Sequence, residues 1–313
     1  CQSSYREIQE YIERGSKVNP TIFLIAGIVH LSDRVAQMLN DYEPILNQAI
    51  RVKQEVKKGE GEEFFPEVVK AFETVSSMEY VWMDMMHNPK FVMLFTGEMY
   101  QLSLSRTVHL TKLMSRIVDF RSPFTAMHSA GVAASAKKLA MLAGMSYDDC
   151  LMMEIAGNLH DLGKIRVPNA ILEKPGKLTD EEFNIIKEHP YYTKVILMGI
   201  EGEGFRKIAD WAGNHHEKLN GKGYPYHLDS SQLDVGARIM AVADIFSAIT
   251  EERPYRKGMP RDKVISIMKE NVDFGAIDGD LVALLIDNID EVDAVRDGHS
   301  REAGARYFRS IEQ

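Results

Sequence analysis

Five histidines and two aspartates stand in one ordered series along this chain: His128, His160, Asp161, His189, His215, His216 and Asp244. Imidazole and carboxylate donors together suit borderline first-row metals such as iron, manganese, nickel or zinc rather than calcium or magnesium. Asp161 follows the run LMMEIAGNLH, and Asp244 sits inside ARIMAVADIFSAI. A lone carboxylate buried in such apolar helical segments would be costly unless it were paired or bound to metal. The adjacent donors at 160–161 and 215–216 also carry geometric meaning. Neighbouring helical residues point about 100° apart. Such a pair can share one metal only near a helix end, or can serve two metals through a bridging carboxylate. Gly163 and Asn220-Gly221 predict helix ends close to both pairs. His30, His87, His109, His227 and His299 have no comparable setting and read as ordinary.

The elements that must position these donors are helical. Apolar residues recur at three- and four-residue spacing in Val68, Val69, Phe72 and Val75, and again from Leu104 through Val108, while strand-like alternation is scarce. Breaks are predicted at Asn88-Pro89, Ser122-Pro123, Pro168 to Pro175 and Asn220-Gly221. Thr179 with Glu182 three residues later forms a capping-box pattern that predicts a helix start. Residues 26–39 can be laid over 237–250 without a gap, matching Asp33 to Asp244, and 64–72 then falls near 276–284. The N-terminal third therefore reads as a decayed half-copy of the C-terminal domain, with the natural protein extending upstream of Cys1. The stretch from Met78 to Met99, rich in methionine and aromatics, reads as packed helical core or a dimer seam.

At 313 residues the chain is long enough for two domains, expected at 1–100 and 101–313. A formal net charge of -9 argues against polymeric nucleic acid as the main partner. A small anionic ligand stays open if metal ions supply the positive charge. Two cysteines, Cys1 and Cys150, make neither a disulfide framework nor a structural zinc knuckle. Cys1 reads as an incidental first residue rather than a lipid-bearing one. The longest apolar run, Thr21 to His30, falls far short of the ~20 residues that span a bilayer, and no signal peptide is visible.

In order along the chain stand His128, the HDLGK of 160–164, EHP at 188–190, HHEKLNGKGYP at 215–225, ARIMAVADIFSAI at 237–249 and RPYR at 253–256. This array resembles the HD-GYP phosphodiesterases within the wider HD phosphohydrolases. The resemblance implies an all-α fold, an HD-domain helical bundle preceded by an N-terminal helical domain. It also implies a cytoplasmic enzyme that hydrolyses cyclic di-GMP to a linear dinucleotide. Two alternatives are the same chemistry on cyclic GMP-AMP, and a catalytically silent cyclic dinucleotide sensor. A broader nucleotide phosphohydrolase loses ground to the intact GYP loop.

Carried over residue by residue, the resemblance implies two divalent ions, iron or manganese before nickel or zinc. His128, His160, Asp161 and Asp244 resemble the ligands of one; His189, His215 and His216 resemble those of the other, with Asp161 bridging. Lys164, one turn past Asp161, is expected to act with it in catalysis by neutralising charge on the phosphoryl oxygens. Tyr224 and Gly223 of the GYP loop, with Arg253 and Arg256, are expected to bind substrate. Glu217 is expected to orient an imidazole. One departure bears on the ion count: family members with three metals carry glutamate four residues before the first histidine, where this chain has Phe124. The N-terminal helices are expected to regulate the enzyme or to form a homodimer.

Overall fold

The computed structural model describes residues 20–40, 42–86, 102–119, 123–172, 174, 176–251 and 258–311. Among them the regular structure is entirely helical, apart from two isolated bridges joining Glu60 with Phe64 and Asn220 with Asp229. The all-α expectation holds. No helix among the described residues is long and apolar enough to cross a membrane.

Contacts divide the chain into two units, the first comprising Cys1–Phe91 and Thr179–Ile185. Its helices are α1 (Pro20–Met38), α2 (Ile45–Lys58), α3 (Pro66–Val75) and α4 (Glu79–Met86). α2 buries Ile45, Ala49, Val52 and Val56, a stripe at helical spacing that faces the unit's core. Phe72 meets Trp82 edge-on at 5.9 Å, and the Trp82 indole N–H donates to the Ser76 carbonyl at 2.8 Å. Within the described part of the methionine and aromatic stretch, Trp82 and Met83 are buried core while Met85 is exposed. His87, Phe91 and Phe95 lie outside the described residues. α1 keeps Leu24, Ile25, Ile28 and Val29 exposed along one side.

The second unit, Val92–Leu178 with Ile186–Gln313, contains the whole histidine series. In chain order it holds α5 (Leu104–Asp119), α6 (Pro123–Leu142), α7 (Tyr147–Leu159), a 3-10 turn (Leu162–Arg166) and α8 (Asn169–Leu172). After α9 (Asp180–Lys187), which begins among residues of the first unit, come α10 (His189–Met198), α11 (Glu203–Gly213) and α12 (Val235–Thr250). α13 (Arg261–Asp273), α14 (Gly279–Asp287) and α15 (Ile289–Ile311) complete it. The predicted capping box opens α9: Glu182 N–H donates to Thr179 Oγ1 at 3.2 Å, and Thr179 N–H to Glu182 Oε2 at 2.8 Å.

α7 is buried continuously from Cys150 to Leu159, as expected of a helix apolar all round, and α6 packs against it, α12 and α15. Ser146 caps α7 by accepting the Asp149 N–H, and Asp234 caps α12 by accepting the Ala237 N–H. With its start set by the cap and its length by the apolar run, α7 ends at Leu159, and its last turn delivers His160 and Asp161 into the interior.

Candidate metal centre

The donors reach the centre from helix interiors, from one helix start and from two helix ends. His128 lies within α6, His189 opens α10, and Asp244 lies within α12. His160 is the C-terminal cap of α7, and His215-His216 follow the end of α11 at Gly213. Both adjacent pairs therefore sit at helix ends, as their spacing requires. All seven side chains come together, and every one except His216 is buried.

Two tight groups result. In His128, His160 and Asp161, the donor atoms lie within 4.8 Å of one another, and the same holds for His189, His215 and His216. Asp161 lies between the groups, with Oδ2 3.4 Å from His160 Nε2 and Oδ1 3.3 Å from His189 Nε2. Asp244 also touches both: Oδ1 is 3.1 Å from His128 Nε2, and Oδ2 is 3.6 Å from His216 Nδ1. The sequence reading joined Asp244 to one group only. Lys164 returns across one turn to place Nζ 2.6 Å from Asp161 Oδ2.

The backs of three imidazoles are held by local backbone. His160, His189 and His215 each donate Nδ1–H to the carbonyl three residues earlier, at 2.8, 2.7 and 2.6 Å. A carbonyl only accepts, so the neutral rings must carry their proton on Nδ1 and turn a bare Nε2 lone pair inward. His189 Nε2 and His215 Nε2 then face each other at 3.2 Å, while the buried His160 Nε2 makes no hydrogen bond. Converging lone pairs and two buried carboxylates make a donor set that fits divalent cations.

Electrostatics agree. Burial pushes the His160 imidazole below its ordinary value. Burial and the neighbouring His216 and His160 rings push His215 well below it, and burial takes His216 down to about 3. Burial alone would raise the Asp161 carboxyl, but His160, Lys164 and His189 outweigh it and hold it well below the usual carboxylate range. Asp244 is held down, against its burial, by His128 and His216. His128 runs the other way: burial lowers it, yet the Asp244 and Glu251 carboxylates lift it to about 10.

A pH dependence follows for the metal-free protein. His160, His215 and His216 resist protonation in the folded state but not in the unfolded one, whose value is about 6.5. Their contribution to stability is complete above that value and fades as pH falls toward the folded value, about 3 for His216. His128 contributes fully below about 6.5 and loses its contribution as pH rises through about 10. Three groups outweigh one. The melting temperature of metal-free protein is expected to drop between pH 6.5 and 5; a flat or rising profile would contradict these protonation states.

Two residues that the sequence reading missed set the geometry. Thr193 Oγ1 donates to the His160 carbonyl and accepts the Gly163 N–H, both at 2.9 Å, so it pins the turn carrying Asp161 to α10. Only its spacing, four residues after His189 and hence one helical turn on, offered a signal. Glu251 caps the C-terminus of α12 with Oε2 3.4 Å from His128 Nδ1. Glu217, expected to orient an imidazole, holds the loop: Oε1 accepts the Tyr226 N–H at 2.7 Å and Oε2 the Leu228 N–H at 2.9 Å. That loop brings the Tyr224 ring to 4.9 Å from His216, with Lys187 Nζ 5.3 Å from its centroid. Gly221 has φ +69, as a left-handed turn needs. Gly223 is required for a different reason than backbone freedom, because a Cβ there would lie 2.4 Å from Glu217 Cα. Arg253, Arg256 and the Phe124 side chain lie outside the described residues.

Comparison with known proteins gives a consistent picture. The family model described as HD domain matches residues 112–281, more than half of the chain. The chain is similar to 3'3'-cGAMP-specific phosphodiesterase 1 of Vibrio cholerae, at 31% identity over 84% of this chain and 63% of that protein. It is also similar to 3'3'-cGAMP-specific phosphodiesterase 3 of the same organism, at 44% identity over 54% of this chain and 36% of that one. A cyclic di-GMP phosphodiesterase of Pseudomonas aeruginosa is 38% identical over 54% of this chain and 41% of its own length. The chain thus spans less than two thirds of these curated relatives.

Proposed function

The chain belongs to the HD-domain family, and from that premise we propose that it is a metal-dependent phosphodiesterase opening cyclic di-GMP to a linear dinucleotide. The observation that carries the reading is the 3.2 Å approach of His189 Nε2 to His215 Nε2, each ring with its Nδ1 proton committed to a carbonyl. Two lone pairs at that separation repel unless a metal ion or a proton lies between them, and two more donors, His216 and Asp161, stand beside them for a metal ion.

In this reading two divalent ions are held, iron or manganese before nickel or zinc. His128, His160, Asp161 and Asp244 hold one; His189, His215 and His216 hold the other, with Asp161 shared. Ions held there would supply the positive charge that acidifies a water and offsets charge on a phosphoryl group. Lys164 keeps Asp161 ionised and brings a cation to the phosphate side of the cluster. Tyr224 offers a ring for a purine and a hydroxyl for a phosphate, and Gly223 lets its loop close onto Glu217 and Lys218. Arg253 and Arg256 supply guanidinium forks for phosphate or guanine.

A second reading, cleavage of 3'3'-cGAMP, is favoured by a specific observation: two of the similar proteins, including one matched over most of this chain, are named for that messenger. Stacking accepts either purine. The test is turnover of both dinucleotides by metal-loaded protein, with product identification. Cleavage of at least one to a linear dinucleotide is expected, and the ratio of rates assigns the messenger. Binding without turnover would replace the enzyme by a silent sensor, and cleavage of mononucleotides alone would point to a broader phosphohydrolase.

The N-terminal helices are proposed to be a degenerate half-repeat that regulates or dimerises the enzyme. Support comes from helix order and length: α1, α2 and α3 have 19, 14 and 10 residues, and α12, α13 and α14 have 16, 13 and 9. The exposed Leu24, Ile25, Ile28 and Val29 offer a seam for a second copy. A cytoplasmic setting, where the substrate occurs, completes the proposal.

A further inference from the structure

His128 differs from its neighbours in what stands behind its ring. His160, His189 and His215 lean on carbonyls three residues earlier, which local helix geometry supplies. His128 Nδ1 is instead buried without a hydrogen bond, 3.4 Å from Glu251 Oε2, an ion-pair distance. Glu251 is 3% exposed and stands seven residues after Asp244, two helical turns along the same face of α12. One helix therefore flanks the His128 imidazole with two carboxylates, Asp244 at Nε2 and Glu251 at Nδ1.

This arrangement poses a choice of tautomer. Between two carboxylates the metal-free ring is held as imidazolium; once a cation displaces one proton, the ring keeps a single proton and has two carboxylates to offer it to. With the proton on Nδ1, facing Glu251, the Nε2 lone pair is free to bind a cation beside His160 and Asp161. With the proton on Nε2, facing Asp244, the ring presents a hydrogen where a ligand is needed. Among the described residues, no backbone carbonyl behind His128 makes this choice, as one does for each of the other three rings.

We propose that Glu251 is the positioning residue of His128, selecting the tautomer that lets this imidazole bind a metal ion. The inference rests on the metal-centre reading above. Loss of an outer carboxylate behind a metal-binding histidine typically weakens metal affinity about 10- to 100-fold. The effect here should be confined to one of the two ions, because His189 and His215 of the second group have their own carbonyl partners.

The test is titration of metal-free protein with Mn²⁺, followed by calorimetry and metal analysis. Wild-type protein is expected to take two equivalents. In Glu251→Leu, which fills the space, and Glu251→Ala, which vacates it, one equivalent should weaken about 10- to 100-fold and the other stay unchanged. Glu251→Gln, whose carboxamide oxygen still accepts the Nδ1 proton, should remain within a few-fold of wild type. Equal weakening of both equivalents together with a lowered melting temperature of the metal-free variants would reveal a merely structural role and overturn the proposal. So would unchanged affinity in Leu and Ala variants, or failure of Gln to rescue. Wild-type protein that binds no ion would overturn the metal-centre reading itself, and this inference with it.

Discussion

Asp161→Asn is expected to lower kcat/KM for cyclic dinucleotide hydrolysis by about 10³-fold or more, roughly 4 kcal/mol of lost transition-state stabilisation. The substitution keeps the side chain's shape and removes its charge. In the folded protein the two carboxylate oxygens serve opposite sides, Oδ2 toward His160 and Lys164, Oδ1 toward His189. An amide can offer one oxygen to one side, but its nitrogen cannot bind a cation on the other. It also leaves the Lys164 ammonium without its 2.6 Å carboxylate partner. The variant should therefore lose metal and turnover together while the helical circular dichroism stays that of wild type. Metal analysis beside a hydrolysis assay checks this. Retention of both ions with activity within tenfold of wild type would remove Asp161 from the centre.

Gly163→Ala should be nearly as damaging for a different reason. A Cβ at this position would lie 2.0 Å from the His189 carbonyl oxygen and 2.8 Å from the Thr193 nitrogen, both backbone atoms that no rotamer change can move. The turn after Asp161 and the start of α10 would have to separate, at a cost of about 3 kcal/mol or more. For a domain of this size that corresponds to roughly 6–12 °C in melting temperature. The same shift would pull His189 away from Asp161, so metal affinity should fall with stability. Gly298→Ala is the control: nothing lies within 4 Å of a Cβ there, and α15 continues through it. That change should be neutral or stabilising by up to about 1 kcal/mol. A Gly163→Ala protein that melts and binds metal like wild type would refute the packing argument.

Both substitutions probe the clamp in which Thr193 ties the His160 carbonyl to the Gly163 amide. The HDLGK run supplies more than two donors and a lysine. Its glycine and the threonine one turn after His189 are what bring Asp161 within 3.3 Å of the second imidazole group.

Much of this centre was legible before any coordinates. The donor types, their order and the two adjacent pairs at helix ends follow from local chemistry, because capping, apolar runs and breaks act over a few residues. Thr179 with Glu182 made its capping box as written, and α7 ended where its apolar run ended. Other features were not legible, because they depend on contacts beyond a helical turn. Glu217, expected to orient an imidazole, accepts the Tyr226 and Leu228 amides and so fixes the loop, a role its sequence position did not announce. Gly223 was expected to bind substrate, and its closeness to Glu217, where a Cβ would not fit, could not be read from the loop sequence.

What the amino-acid order determined by itself was a helical chain carrying five imidazoles and two aspartates suited to divalent cations. Only tertiary structure decided how those donors divide: Asp161 and Asp244 each reach both imidazole groups, and Glu251 stands behind His128. Helix periodicity is a local property, readable within a turn or two. Which side chains face one another across α6, α7, α10 and α12 depends on how helices distant in sequence pack, and no short-range pattern encodes that approach.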